Sequence, residues 1–342
     1  MIRISTLALL TLISINAWAQ SSAGEYLDLI GQQYQKISQD MMSYTSAVNH
    51  GKSARKVEKK RTELMQTLKE AETTVRKMKP FNGKTTLRDS IVGYFRMSGI
   101  VLNKDYSKIV DMEEVAEQSY DAMEAYLLAK ERAEAKLDTA GNRASAQYKA
   151  FAAENNIKLI SNDNDELGKK LEKAGRTSQY ANAAYLLFFK SFKNEAYMMD
   201  ALNRNDITAL EQSRNALAAS AAEDLGKTGS LGTFNGDPSL KNSLQQILNF
   251  YKSESGEIKA QNDFLIAKDN FEKIKKNMEA TPASKRTKEV VDAYNKAADD
   301  FNKKVNAVNA MHESLNKKRS AAFKNWNDSY ENFLDKHTPK YR

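Results

Sequence analysis

Phe81-Asn82-Gly83-Lys84-Thr85-Thr86-Leu87-Arg88-Asp89-Ser90 returns 153 positions later as Phe234-Asn235-Gly236-Asp237-Pro238-Ser239-Leu240-Lys241-Asn242-Ser243. Five of the ten positions are identical, and Thr86/Ser239, Arg88/Lys241 and Asp89/Asn242 exchange like for like. Each copy reads as a turn followed by the start of a helix. Gly83 and Gly236 supply positive φ where the chain reverses, with Phe81 and Phe234 packed inward as plugs. Asp237 looks like an N-cap with Pro238 at the first helical position. A ligand loop built on Phe81-Asn82-Gly83 and Phe234-Asn235-Gly236 is the sharper alternative. The same offset of 153 relates Glu58, Arg61 and Leu64 to Glu211, Arg214 and Leu217, so the similarity extends beyond the turns and points to an internal duplication.

Outward from the turns the chain reads as helix. It has only four prolines, Pro80, Pro238, Pro282 and Pro339, each where the apolar periodicity breaks. The stretches between them are rich in Ala, Glu, Lys, Gln and Leu. Leu27, Ile30, Tyr34, Ile37, Met41, Tyr44 and Val48 step by three and four along a first helix over 22–49. Val57, Leu64, Leu68, Ala71, Val75 and Met78 line a second over 53–78. A third helix is predicted from Thr86 to Leu137, with a kink near 103–107. A turn at 138–142 and a fourth helix over 143–159 follow. In the second half, helices are predicted over 177–202, 207–224, from Asp237 to Ala280, and from Ser284 to Asp335, with Gly226, Gly229, Gly232 and Gly236 marking a flexible loop. The predicted fold is all-α: two tandem, duplicated antiparallel helical bundles of about four helices each. Their bounds are a signal peptide over 1–19, a first bundle over 20–160, a connector over 161–176 and a second bundle over 177–342.

The leader reading rests on Arg3, the apolar run from Leu7 to Ala19 and the small residues of Ala17-Trp18-Ala19, with cleavage expected after Ala19. The run is too short for a membrane span, and no transmembrane segment is expected in the mature chain. About 320 residues then remain, enough for two ordinary domains. The chain has no cysteine, which excludes disulfides and a lipoprotein's cysteine anchor. Fifty-two basic against 44 acidic residues leave +8, or +7 without Arg3. Lys alternates with Glu and Asp, as in Lys130-Glu131-Arg132-Ala133-Glu134, which reads as a solvated helix face; no nucleic-acid partner is expected.

Few residues suggest chemistry. Arg61 and Arg214 fall on the inner seams of their helices, where a guanidinium needs an acidic or carbonyl partner. A structural ion pair repeated by duplication is the plain reading and an anion pocket in each bundle the sharper one. Asp163-Asn164-Asp165-Glu166-Leu167-Gly168 resembles part of a calcium loop, but Leu167 and Ala174 stand where oxygen ligands are needed. His50, His312 and His337 lack metal-ligand spacing. Glu113-Glu114 and Asp299-Asp300 point to different helix azimuths. No thiol nucleophile, Gly-x-Ser-x-Gly elbow or phosphate-cradling loop occurs. No catalytic residue, cofactor or metal is therefore expected. Trp326, Tyr330 and Phe333 continue the last helix's seam, and could instead give Ala321–Leu334 an amphipathic, membrane-surface character.

Leu87-Arg88-Asp89, Met123-Glu124-Ala125-Tyr126 and Phe151-Ala152-Ala153-Glu154-Asn155-Asn156-Ile157 resemble segments of an uncharacterised family of bacterial exported proteins labelled "surface protein". The resemblance covers most of the mature chain. It implies a signal peptide, a helical fold and no established activity, and carries over no catalytic residues. Some exported surface proteins carry a lipid-anchor cysteine, which this chain lacks.

The functional expectation is a non-enzymatic exported protein, periplasmic, outer-surface or secreted, acting as a helical binding or scaffold module whose partner is an envelope protein or surface polymer. Its alternatives are a helical-bundle enzyme or metal-dependent protein and a peripheral membrane-surface binder.

Overall fold

The computed structural model describes residues 10–11, 18–116, 120–161 and 166–341, with side chains over 23–103, 135–159 and 166–341. The fold is all-α. Its helices are α1 (Trp18–Asn49), α2 (Ala54–Arg76), α3 (Thr86–Ala116), α4 (Tyr120–Glu154), α5 (Glu166–Asn203), α6 (Ile207–Leu231), α7 (Ser239–Glu257), α8 (Lys259–Ala280) and α9 (Lys288–His337). Two two-residue strands, β1 (Leu10–Thr11) and β2 (Ile160–Ser161), pair antiparallel. The expected leader lies mostly outside the described residues, as does Asp163–Asp165 of the calcium-like stretch. The side chains of Glu113, Glu114 and Met123–Tyr126 lie outside them too.

The chain divides into two compact units, 1–181 with 331–342, and 182–330. These bounds differ from the 161–176 connector and 177–342 bundle that the repeat suggests. Only 162–165 of that connector lies outside described elements, because α5 starts at Glu166 and continues unbroken to Asn203.

In the first unit α1, α2, α3 and α4 pack in chain order. Leu27, Ile30, Tyr34 and Met41 of α1 meet Leu64, Leu68, Ala71 and Val75 of α2 and Leu87, Ile91, Tyr94 and Phe95 of α3 in one core. The turn predicted at 138–142 is instead helical, within α4. Leu137, Ala144, Tyr148 and Ala152 are all buried, and that three-four stripe runs straight through Gly141 and outweighs its low helix propensity.

The chain's end returns to this unit. Asn49 donates to Ser178 Oγ at 2.9 Å and to Thr338 Oγ1 at 3.0 Å. Thr177 Oγ1 donates to the His337 carbonyl at 3.2 Å, and Phe333 packs on Tyr180 with ring centroids 5.3 Å apart.

The second unit is built on aromatic residues. Phe188 stacks on Trp326 at 4.8 Å, Phe192 meets Phe323 edge-on at 5.5 Å, and Tyr185 lies 5.9 Å from Tyr330. Leu210, Leu217, Leu240, Leu244, Ile247 and Leu248 complete the core. The loop expected from Gly226 starts later. Gly226 and Gly229 are helical, because Ala221, Asp224 and Thr228 extend the buried stripe of α6 and Gln245 donates to Thr228 Oγ1 at 2.9 Å. The single helix predicted from Asp237 to Ala280 is divided at Ile258 into α7 and α8. Trp326 and Phe333 are each 1 % exposed, so the apolar stripe predicted over Ala321–Leu334 faces core and not a membrane surface.

Candidate functional site

The repeated turns have the same backbone geometry. Asn82 and Gly83 have φ of 47° and 76°, and Asn235 and Gly236 have 50° and 81°. Two consecutive positive-φ residues make a type I′ turn, which Asn-Gly suits best. Phe81 and Lys84 exchange backbone hydrogen bonds at 3.0 and 2.9 Å, and Phe234 and Asp237 do so at 3.1 and 2.9 Å. Phe81 packs between Tyr26, at 5.5 Å, and Phe151, at 5.0 Å, while Phe234 is buried. Asp237 Oδ1 accepts from the Ser239 N–H at 2.9 Å at the start of α7. These contacts tie each turn to its own unit.

Arg61 and Arg214 sit differently. Arg61 grips Glu58 one turn earlier, its Nε donating at 2.8 Å and its Nη2 at 2.6 Å, while Nη1 donates to Met65 Sδ. Glu211, at the position matching Glu58, instead accepts from Asn262 at 3.0 Å, and Arg214 Nε is buried without a hydrogen-bond partner. The histidines are separately engaged: His50 with Asp335 at 2.6 Å, His312 with Gln261 at 3.0 Å, and His337 against the Phe333 ring.

Among the described residues a buried charge cluster lies in the second unit, on residues the sequence reading did not single out. Glu195 of α5, Glu254 of α7 and Arg319 of α9 converge, with side chains 7 %, 0 % and 18 % exposed. Arg319 Nη2 donates to Glu254 Oε1, Nε lies 2.7 Å from Glu195 Oε1 at an angle short of a hydrogen bond, and Nη1 donates to Asn316 Oδ1 at 2.6 Å. Glu254 Oε2 and the Tyr251 hydroxyl are buried without hydrogen-bond partners. One guanidinium thus faces two carboxylates. Burial, then the neighbouring Glu195, push Glu254 up to about 7 against the opposing pull of Arg319. Burial also raises Glu195 and Tyr251. Glu254 can therefore hold a proton near neutral pH. Sequence periodicity places Glu254 and Arg319 on helices but cannot bring them together, because they lie on different elements far apart in the chain.

Beyond this cluster α8 and the first half of α9 form a two-helix arm. Phe271 stacks on Phe301 at 5.1 Å, Phe264 on Phe301 at 5.8 Å, and Phe271 meets Tyr294 at 5.7 Å. The outer faces are solvated, and Ile266 is 64 % exposed. In the first unit a polar cleft of about 270 Å³ is lined by residues of α1 and α2, among them Gln33, Lys36, Asp40 and Glu70. Among the described residues no group of three or more His, Cys, Asp or Glu could hold a metal ion, and no helix is long and apolar enough to cross a membrane. Comparison with protein-family models, curated proteins and solved structures finds no match.

Proposed function

We propose that this chain is a non-enzymatic, exported helical binding or scaffold module of the bacterial envelope or cell surface, built by internal duplication and related to the exported "surface proteins" it resembles. The observation that carries this reading is the α8–α9 arm. Its two helices are joined through Phe264, Phe271, Tyr294 and Phe301, leaving long outer faces and the exposed Ile266 to contact another protein. The matching geometry of the two Asn-Gly turns supports the duplication.

Affinity capture tests the reading. The bait is the chain from Gln20, and solubilised envelope is passed over it at low and moderate salt, beside the variant Ile266→Glu. One protein partner is expected to survive moderate salt and to be lost from the variant, while both baits melt alike by circular dichroism. Equal capture by both baits, or no protein above a blank matrix, overturns the assignment to the arm.

The enzyme alternative draws on Glu254, whose protonation near neutral pH is a property of acid–base groups. Against it, the Glu254 side chain is fully buried, so no substrate reaches its carboxyl in this conformation.

A further inference from the structure

Six cations stand between positions 272 and 289, Lys273, Lys275, Lys276, Lys285, Arg286 and Lys288, against the three carboxylates of Glu272, Glu279 and Glu289. The fold turns this stretch into the tip of the α8–α9 arm: the last turns of α8, a 3-10 turn at Ala283–Lys285, and the start of α9. Every residue from 282 to 289 is exposed. Lys273 pairs with Asp269 at 2.7 Å, and Lys275 lies 3.8 Å from Glu279. Among the described residues no carboxylate pairs with Lys276, Lys285, Arg286 or Lys288. Arg286 Nε donates to the Thr281 carbonyl at 3.0 Å, which holds the loop and its charge at the arm's end. At the start of α9 the Glu289 carboxylate, held below its ordinary value by hydrogen bonds from its own backbone N–H and from Thr287, offsets part of this charge.

The tip lacks the features of a protein–protein hot spot. Among the described residues the exposed large apolar side chains, Ile100, Leu186, Tyr197, Ile207 and Ile266, all lie elsewhere, and the loop offers only Ala280, Pro282 and Ala283. Its cations are exposed around a hairpin end. A layer of mobile anionic headgroups can gather beneath such an end, whereas a folded acidic partner must present carboxylates at matching fixed positions. We propose that the α8–α9 tip is a reversible docking point for an anionic phospholipid surface, with Lys276, Lys285, Arg286 and Lys288 as the contacting cations. This deepens the envelope reading above and rests on it for its biological setting. The tip chemistry is tested separately, so its failure leaves the protein-partner reading standing.

The test is sedimentation of the chain from Gln20 with vesicles of pure phosphatidylcholine or with about 30 % phosphatidylglycerol, at roughly 50 and 300 mM salt. Two variants accompany it. One replaces Lys276, Lys285, Arg286 and Lys288 with Gln; the other replaces four exposed lysines of the first unit, Lys69, Lys79, Lys149 and Lys158, with Gln. Both are surface changes, and circular dichroism melts check that they fold. Expected is binding to the anionic vesicles alone that weakens with salt, falls at least about tenfold in the tip variant, and falls less than about threefold in the control. Absence of binding to anionic vesicles, equal binding to neutral ones, or an equal loss in the control variant overturns the proposal.

Discussion

Arg319 faces two buried carboxylates where Arg61 faces one half-exposed carboxylate, and the difference sets what each is worth. Replacing Arg61 with Met removes an i−3 pair whose Glu58 partner is 45 % exposed, so a loss of about 1 kcal/mol or less is expected. Replacing Arg319 with Met leaves Glu195 and Glu254 buried without their cation, and about 3–5 kcal/mol is expected. Urea unfolding of the two variants measures both, and a larger loss for Arg61→Met contradicts this ordering. Glu254 adds a pH dependence. Its folded-state proton affinity is raised, to about 7 against an ordinary value of 4.5, so its contribution is fully present below the ordinary value and lost as pH rises through 7. The gap amounts to roughly 3 kcal/mol at about 1.4 kcal/mol per pH unit. Stability is expected to fall between pH 5 and pH 8 by up to that amount, and Glu254→Gln to flatten the slope. An unchanged slope in the variant places the titration elsewhere. Asp335 and Glu257 have lowered values and act oppositely, losing their contribution as pH falls through their depressed values in acid. The two effects therefore occupy separate windows.

The two Asn-Gly turns show how much an element owes to local chemistry. Open space surrounds the Cβ position at Gly83 and Gly236, so an alanine there meets only the cost of left-handed backbone. Gly83→Ala and Gly236→Ala are each expected to lose about 1–2 kcal/mol, with Asn82→Ala and Asn235→Ala losing less because Asn itself tolerates that region imperfectly. Denaturant midpoints of the four variants check this, and equal losses at Asn and Gly sites argue against a type I′ requirement. Helices were legible for a similar local reason: Leu27, Ile30, Tyr34 and Met41 are spaced to bury one stripe, and they do so in α1. Element ends were less legible. Gly141, Gly226 and Gly229 read as breaks, yet the buried neighbours Leu137 and Ala144, and Asp224 and Thr228, carry α4 and α6 through them. A glycine's helix cost of about 1 kcal/mol is smaller than the burial gained on both sides of it.

At the scale of the molecule, the first unit is discontinuous in sequence, because 331–342 belong with 1–181. Those last residues hold Phe333 against Tyr180 and Thr338 on Asn49. Ending the chain at Tyr330 removes a buried aromatic side chain and takes from Asn49 one of its two side-chain acceptors. A loss of about 3–5 kcal/mol in that unit is expected, seen as early exchange of its amide protons with solvent while those of 182–330 stay protected. Uniform loss of protection, or none, contradicts the assignment of the tail to this unit.

The sequence by itself determined the all-helical class, the paired Asn-Gly turns and the three-four seams, since each depends on residues a few positions apart whose backbone preferences and spacing act locally. Tertiary structure decided which distant side chains met. Glu195, Glu254 and Arg319 became one buried charge cluster, Glu211 took Asn262 where Glu58 took Arg61, and the stripe through Trp326 and Phe333 went to the cores. Spacing along one helix specifies a face but not what covers it; that follows from how several helices fill space together, and it sets which polar groups lose their water.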